Sequence, residues 1–198
     1  DGVHSRLGRQ VRDSDTQRDG RVMLFKETVL KGAYVVEPER IVDERGFFAR
    51  TWCRSEFETH GLNPNLVQCN ISSNVKKGTL RGMHHQVAPR AEAKLVRCTA
   101  GAIYDVIVDL RPDSGTFKRW TGVELNADNR YMLYIPEGFA HGFLTLSDDA
   151  EVFYQMSEYY SAEHARSVRW NDPAFGIQWP GEVLVISERD RSYPDFSA

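Results

Sequence analysis

From Met23 onward the chain is a series of short apolar runs, alternating or β-branched, separated by turn formers. Runs at residues 66–68, 94–97, 103–110, 120–125, 131–135, 142–146 and 152–156 read as strands. Successive side chains on a strand point to opposite sheet faces, so such runs suit strands with a face in a core. Between them stand Lys76-Lys77-Gly78, Pro89, Ala100-Gly101, Pro112-Asp113-Ser114-Gly115, Pro136-Glu137-Gly138 and Ser147-Asp148-Asp149. Helical pattern is scarce. Residues 54–60, closed by Gly61, predict one short helix; Ser161 predicts a capped turn running through Arg166, with Glu163 near its start. Many short strands with few helices predict an all-β fold, a two-sheet sandwich or a barrel of the jelly-roll type. Residues 1–21 are polar and charged and read as a flexible or tag-like extension; residues 22–198 read as a single domain.

Composition narrows the classes. The 198 residues carry 25 Lys plus Arg against 28 Asp plus Glu, a formal net charge of -3. That balance argues against a nucleic-acid partner held by a broad basic surface, but it leaves room for a small cationic pocket. No apolar run approaches the roughly 20 residues that span a bilayer, so no membrane partner is expected. The first ten residues lack the apolar stretch of a secretory signal, and the expectation is a cytoplasmic protein. Cys53, Cys69 and Cys98 are odd in number and form no C-x-x-C pair, which speaks for reduced thiols rather than a disulfide framework or structural zinc.

A jelly-roll interior is a natural small-molecule site, and an ionisable residue facing it is costly unless paired or functional. His84, Lys94, Asp105, Asp109 and Tyr154 all fall on strands and therefore call for an explanation. A metal is one. Gly78 stands six residues before His84, but position 86 is Gln86, His85 alternates to the other face, and Glu92 falls near Pro89 in a loop. His84 and His141 remain as two ligands where a transition metal wants three or four, so no metal is expected. Acid–base chemistry is the other explanation. A His takes a proton near neutrality, a carboxylate fixes its tautomer, a Lys faces a developing oxyanion, and a Tyr returns a proton. That set suits proton abstraction beside a carbonyl.

Leu80-Arg81-Gly82-Met83-His84-His85-Gln86, Lys94-Leu95-Val96-Arg97, Asp105-Val106-Ile107-Val108-Asp109-Leu110-Arg111 and Ile135-Pro136-Glu137-Gly138-Phe139-Ala140-His141-Gly142-Phe143 closely resemble the dTDP-4-dehydrorhamnose 3,5-epimerase family. So do Asp43-Glu44-Arg45-Gly46-Phe47-Phe48, Trp170-Asn171-Asp172-Pro173, Ile177-Gln178-Trp179-Pro180 and Ser187-Glu188-Arg189-Asp190, in order from about Met23 to Asp190. The resemblance implies a double-stranded β-helix, the cupin-type jelly roll, that works as a homodimer with no metal or organic cofactor. It implies inversion of carbon 3, carbon 5 or both in a nucleotide-diphosphate 4-keto-6-deoxyhexose, through enolates. On matching positions it makes His84 the base, Asp190 its orienting carboxylate, Lys94 the group facing the enolate and Tyr154 the acid. Arg81, Asp105, His141 and Tyr160 match pocket residues, and Arg189 is a further candidate for the diphosphate. Arg45 and Phe48 match positions that reach the nucleotide across the dimer interface. Gln68 and Asn70 match a Gln-Asp-Asn segment whose Asp is Cys69 here, and Arg50 stands where the family often has Glu. Three alternatives stay open: a single-site epimerase of another nucleotide-linked deoxysugar, an isomerase moving the keto group on the same scaffold, and a non-catalytic sugar-nucleotide-binding module.

Overall fold

A computed structural model describes residues 23–197; the extension expected over residues 1–21 lies outside the described residues. The strands are β1 (Met23–Glu27), β2 (Tyr34–Pro38), β3 (Arg40–Asp43), β4 (Gly46–Ala49), β5 (Gln68–Asn74), β6 (Thr79–Gln86), β7 (Lys94–Ala100), β8 (Ala102–Asp109), β9 (Trp120–Asn126), β10 (Met132–Ile135), β11 (Phe139–Thr145), β12 (Ala150–Met156), β13 (Ala165–Ser167) and β14 (Val185–Ile186). The helices are α1 (Arg54–Thr59) and α2 (Glu188–Arg191). One sheet runs β1-β2-β10-β7-β12-β5 and the other β13-β6-β11-β8-β9, with β14 added parallel to β6. This is the all-β, two-sheet jelly roll expected from the strand-rich pattern, in the cupin-type form implied by the family resemblance, with two short helices.

Alternation along the strands builds the core. Val96 and Cys98 of β7, Val152 of β12, Ile103 and Ile107 of β8, and Phe139 and Phe143 of β11 fill the space between the sheets. The intervening positions of β7 and β10 face outward, where Leu95 joins Met132 and Tyr134 under Phe57 of α1. The other sheet's back, with Val106, Val108 and Ala140, is covered by Val168, Phe175 and Ile177 from the C-terminal segment. Each sheet therefore has both faces covered over much of its area, which explains apolar runs as well as alternation.

Several expectations change. The helix over residues 54–60 forms almost as expected, but the turn at Ser161 does not become one. The Ser161 carbonyl accepts from the backbone N–H groups of His164 and Ala165, and the chain then enters β13. Pairing with β6 across three residues outweighs a helical propensity too short to nucleate alone. The strand expected over residues 66–68 begins only at Gln68 and runs on to Asn74. Asp109, suspected on its strand position, is structural. Its carboxylate accepts from Arg111, Ser114 and Thr116 and pins the turn at residues 112–115. Burial pushes its carboxyl up, but these hydrogen bonds win and hold it at about 2.

Candidate active site

A cavity of about 880 Å³ opens between the two sheets beside β5 and β6. Its walls combine His84 and Arg81 from β6, His141 and Phe143 from β11, Lys94 from β7, Tyr154 and Met156 from β12, and Gln68, Asn70 and Ser72 from β5. Tyr160, Arg189 and Asp190 complete it.

Strand geometry explains why β6 supplies two side chains three residues apart. His84 is the register partner of His141, and Arg81 that of Phe143, so β6 holds one residue more than β11 over this stretch. Such a bulge breaks the alternation and re-aims a side chain. The backbones also come close here. A Cβ on Gly82, whose φ is +136, would stand 2.5 Å from the Gly142 Cα.

His84 Nε2 lies 2.7 Å from Asp190 Oδ1, although 106 residues separate them. The chain delivers Asp190 through β14, which runs along β6, and through Ser187, whose Oγ accepts the Asp190 N–H and caps α2. Gly82 N–H donates to the other carboxylate oxygen at 3.3 Å. Burial raises the Asp190 carboxyl, but the His84 contact, the Gly82 N–H and the Ser187 hydroxyl outweigh it and hold it below the usual carboxylate range. Asp190 is thus ionised at neutral pH and can only accept, so His84 donates to it from Nε2, and Nδ1 is the ring nitrogen free of that contact.

A second dyad of equal length stands beside the first: His141 Nε2 is 2.7 Å from Asp105 Oδ1. Asp105 is wholly buried and does not line the cavity; it backs His141 rather than meeting a ligand. His85, expected to turn away, borders the cavity too. Burial, then the charges of Lys94, Arg166 and His84, push it down to about 4, so it stays neutral near pH 7.

On the facing sheet, Tyr154 is raised by burial, against the pull of Arg81, and so keeps its phenolic proton. Arg81 Nε donates to Asn74 Oδ1 at 2.7 Å. Gln68 donates to Asn70 and accepts the Tyr160 backbone N–H, tying the β5 wall to the cavity mouth. Arg189 donates to the Tyr193 hydroxyl at 2.6 Å. Cys69 is exposed on the opposite face of β5 from Gln68 and Asn70, so that departure from the family pattern leaves the cavity wall intact. Arg50 is paired with Glu56 of α1 at 2.7 Å.

Arg45 and Phe48 are not brought to this cavity. They lie on the exposed β3–β4 hairpin, where Arg45 pairs with Asp43. Glu92, set aside as a loop residue, is in a loop but is buried 2.8 Å from Lys94 Nζ. The one signal for it in the sequence was a lysine on a strand, which needs a counter-charge if its side chain is buried. Among the described residues, no group of three or more His, Cys, Asp or Glu is placed to hold a metal ion. No described helix is long and apolar enough to cross a membrane.

The sequence profile of the dTDP-4-dehydrorhamnose 3,5-epimerases matches residues 27–198. The enzyme of that name from Methanothermobacter thermautotrophicus is 47% identical over 172 residues, covering 85% of this chain and 92% of its own. A crystal structure of the Bacillus anthracis dTDP-4-dehydrorhamnose 3,5-epimerase, with TDP and PPi bound, superposes with a TM-score of 0.85 at 45% identity, covering 88% of this chain and 100% of that one. The Legionella pneumophila dTDP-6-deoxy-D-glucose-3,5-epimerase, in complex with dTDP-4-keto-L-rhamnose, gives a TM-score of 0.80 at 38% identity, covering 85% and 90%.

Proposed function

The chain belongs to the dTDP-4-dehydrorhamnose 3,5-epimerase family, and we infer from this that it epimerises a nucleotide-linked 4-keto-6-deoxyhexose, with dTDP-4-keto-6-deoxyglucose the foremost substrate. The product is then dTDP-4-keto-rhamnose. One observation carries the assignment of roles: the candidate base and the candidate acid stand on different sheets across one cavity. Inversion at a carbon requires a proton to leave one face and another to arrive at the opposite face.

The chemistry follows from the groups. The hydrogen on a carbon beside the 4-keto group is acidic because its electron pair can pass to the oxygen as an enolate. His84 Nδ1 takes that proton, and the resulting imidazolium is stabilised by Asp190. Lys94 faces the charge that develops on the oxygen. Tyr154 gives its proton to the opposite face, and solvent restores both groups. Arg81 and Arg189 supply positive charge for the diphosphate, a task suited to guanidinium. Gln68, Asn70, His141 and Tyr160 shape the rest of the pocket. We further propose that the chain works as a homodimer in which Arg45 and Phe48 of one protomer reach the nucleotide held by its partner. That reading is supported by the family resemblance and by the exposed apolar face of the hairpin, with Val42, Phe47 and Phe48 outward.

Incubation with dTDP-4-keto-6-deoxyglucose in heavy water, followed by mass spectrometry and proton NMR, tests the function. Deuterium is expected at carbons 3 and 5. Incorporation at one carbon marks a single-site epimerase, and none with any nucleotide sugar marks a binding module.

A further inference from the structure

We propose that Glu92 is the positioning residue of the reaction, holding Lys94 so that a single ammonium N–H is left for the enolate oxygen. The proposal rests on the reading of Lys94 given above. Lys94 is almost entirely buried, and a buried ammonium without a partner costs several kcal/mol. Glu92, equally buried, is that partner: its Oε1 lies 2.8 Å from Lys94 Nζ. Its Oε2 accepts the Gln86 backbone N–H at 3.0 Å. Lys94 also donates to the His84 backbone carbonyl at 3.2 Å. An ammonium has three N–H donors, so two are committed within the protein and one remains.

The arrangement does more than neutralise charge. One carboxylate grips Lys94, the first residue of β7, and the end of β6, the strand of His84, at the same time. The distance between base and oxyanion stabiliser is therefore set by Glu92 rather than by a flexible lysine stem. Gln86 reinforces that end of β6, since its side chain donates to the Arg90 and Tyr159 carbonyls and accepts the Ser161 N–H.

Glu92→Gln keeps the shape but offers one acceptor where two donors wait. Glu92→Asp keeps the charge but is too short to grip both strands. Both are expected to lower kcat by about tenfold or more, Gln more than Asp, since misplacement of about 1 Å can cost 10²-fold. KM for dTDP-4-keto-6-deoxyglucose should change far less, and both variants should still unfold cooperatively, at a lowered temperature because each loses a buried contact. On a Lys94→Ala background, read by long deuterium-uptake incubations, Glu92→Gln should add no further loss, because its effect passes through Lys94. A folded Glu92→Asp or Glu92→Gln protein with wild-type kcat overturns the proposal while leaving the role of Lys94 standing, as does a loss confined to KM or an additive loss on Lys94→Ala. Wild-type turnover in Lys94→Ala itself would instead remove the reading of Lys94 and this inference with it.

Discussion

At the scale of single residues, the two histidine–carboxylate pairs have the same Nε2–Oδ1 distance, and access separates their roles. The His84 side chain is 47% exposed and that of His141 is 10%. A base must meet a substrate carbon, so His84 is the one placed to act, while His141, backed by Asp105, is placed to donate within the wall. The acid is Tyr154. Its raised pKa, caused by burial, means that the phenol stays protonated to a higher pH than a free tyrosine. Epimerisation should therefore show no alkaline loss from Tyr154 below about pH 10; a rate profile falling near pH 8 through this group would contradict the assignment. Tyr154→Phe removes the returned proton but leaves the base. Net inversion should fall sharply while exchange of the substrate hydrogen into solvent outlasts it; equal loss of both would show that Tyr154 is not simply the acid. His84, Lys94 and Tyr154 were legible as ionisable or phenolic residues on strands. Their partners were not. Asp190 lies 106 residues from His84 and was placed only by resemblance. Glu92 is close to Lys94 in sequence, yet a loop carboxylate looks solvated until burial is known.

At the scale of elements, the site depends on how closely β6 and β11 approach. Gly82 and Gly142 face each other there, and a Cβ on Gly142 would meet Met83 Sδ at 2.6 Å and the Arg81 carbonyl at 2.7 Å. Gly82→Ala combines a disfavoured positive φ with a backbone collision 2.5 Å away. It should destabilise the fold by about 3 kcal/mol or more, read as a lower unfolding midpoint. Any folded fraction should lose activity, because His84 and His141 are register partners two positions on. A Gly82→Ala protein with the wild-type midpoint and turnover would remove close strand approach from the account. Element type was read well where apolar or β-branched residues recur densely between turn formers, as in β7, β8, β9 and β12. It was missed for β1 to β4, whose exposed or mixed faces carry little alternation, as the wholly exposed β3 shows. The bulge in β6 was invisible as well, since an extra residue changes no composition. What it changes is the pairing of Arg81 and His84 on one face, and with it the shape of the site.

At the scale of the whole molecule, the proposed chemistry lies in the cavity between the sheets, while Arg45 and Phe48 sit outside it on a hairpin exposing Ile41, Val42, Phe47 and Phe48. Arg40 of the hairpin and Arg130, which precedes β10, lie over the Phe47 ring at 5.7 Å and 5.6 Å, so guanidinium groups stand against its apolar face, a mixture suited to an anionic nucleotide beside a protein surface. If the hairpin completes the neighbouring protomer's site, the two defects should complement. His84→Ala dimers lack the base but keep the hairpin. Arg45→Ala/Phe48→Ala dimers keep the base but lack the hairpin. Each alone should be nearly inactive. After mixing at equal concentration and exchange of subunits, half of the dimers are mixed, and each of these holds one intact cavity served by one intact hairpin. The mixture should recover about a quarter of wild-type activity, as expected for two-fold symmetric pairing. Light scattering of the wild type should give twice the chain mass of 22.6 kDa. A monomer with full activity would end the dimer reading. A dimer whose double hairpin variant turns over normally would keep the dimer but return the nucleotide to the residues of a single chain, Gln68, Asn70, Arg81 and Arg189 among them.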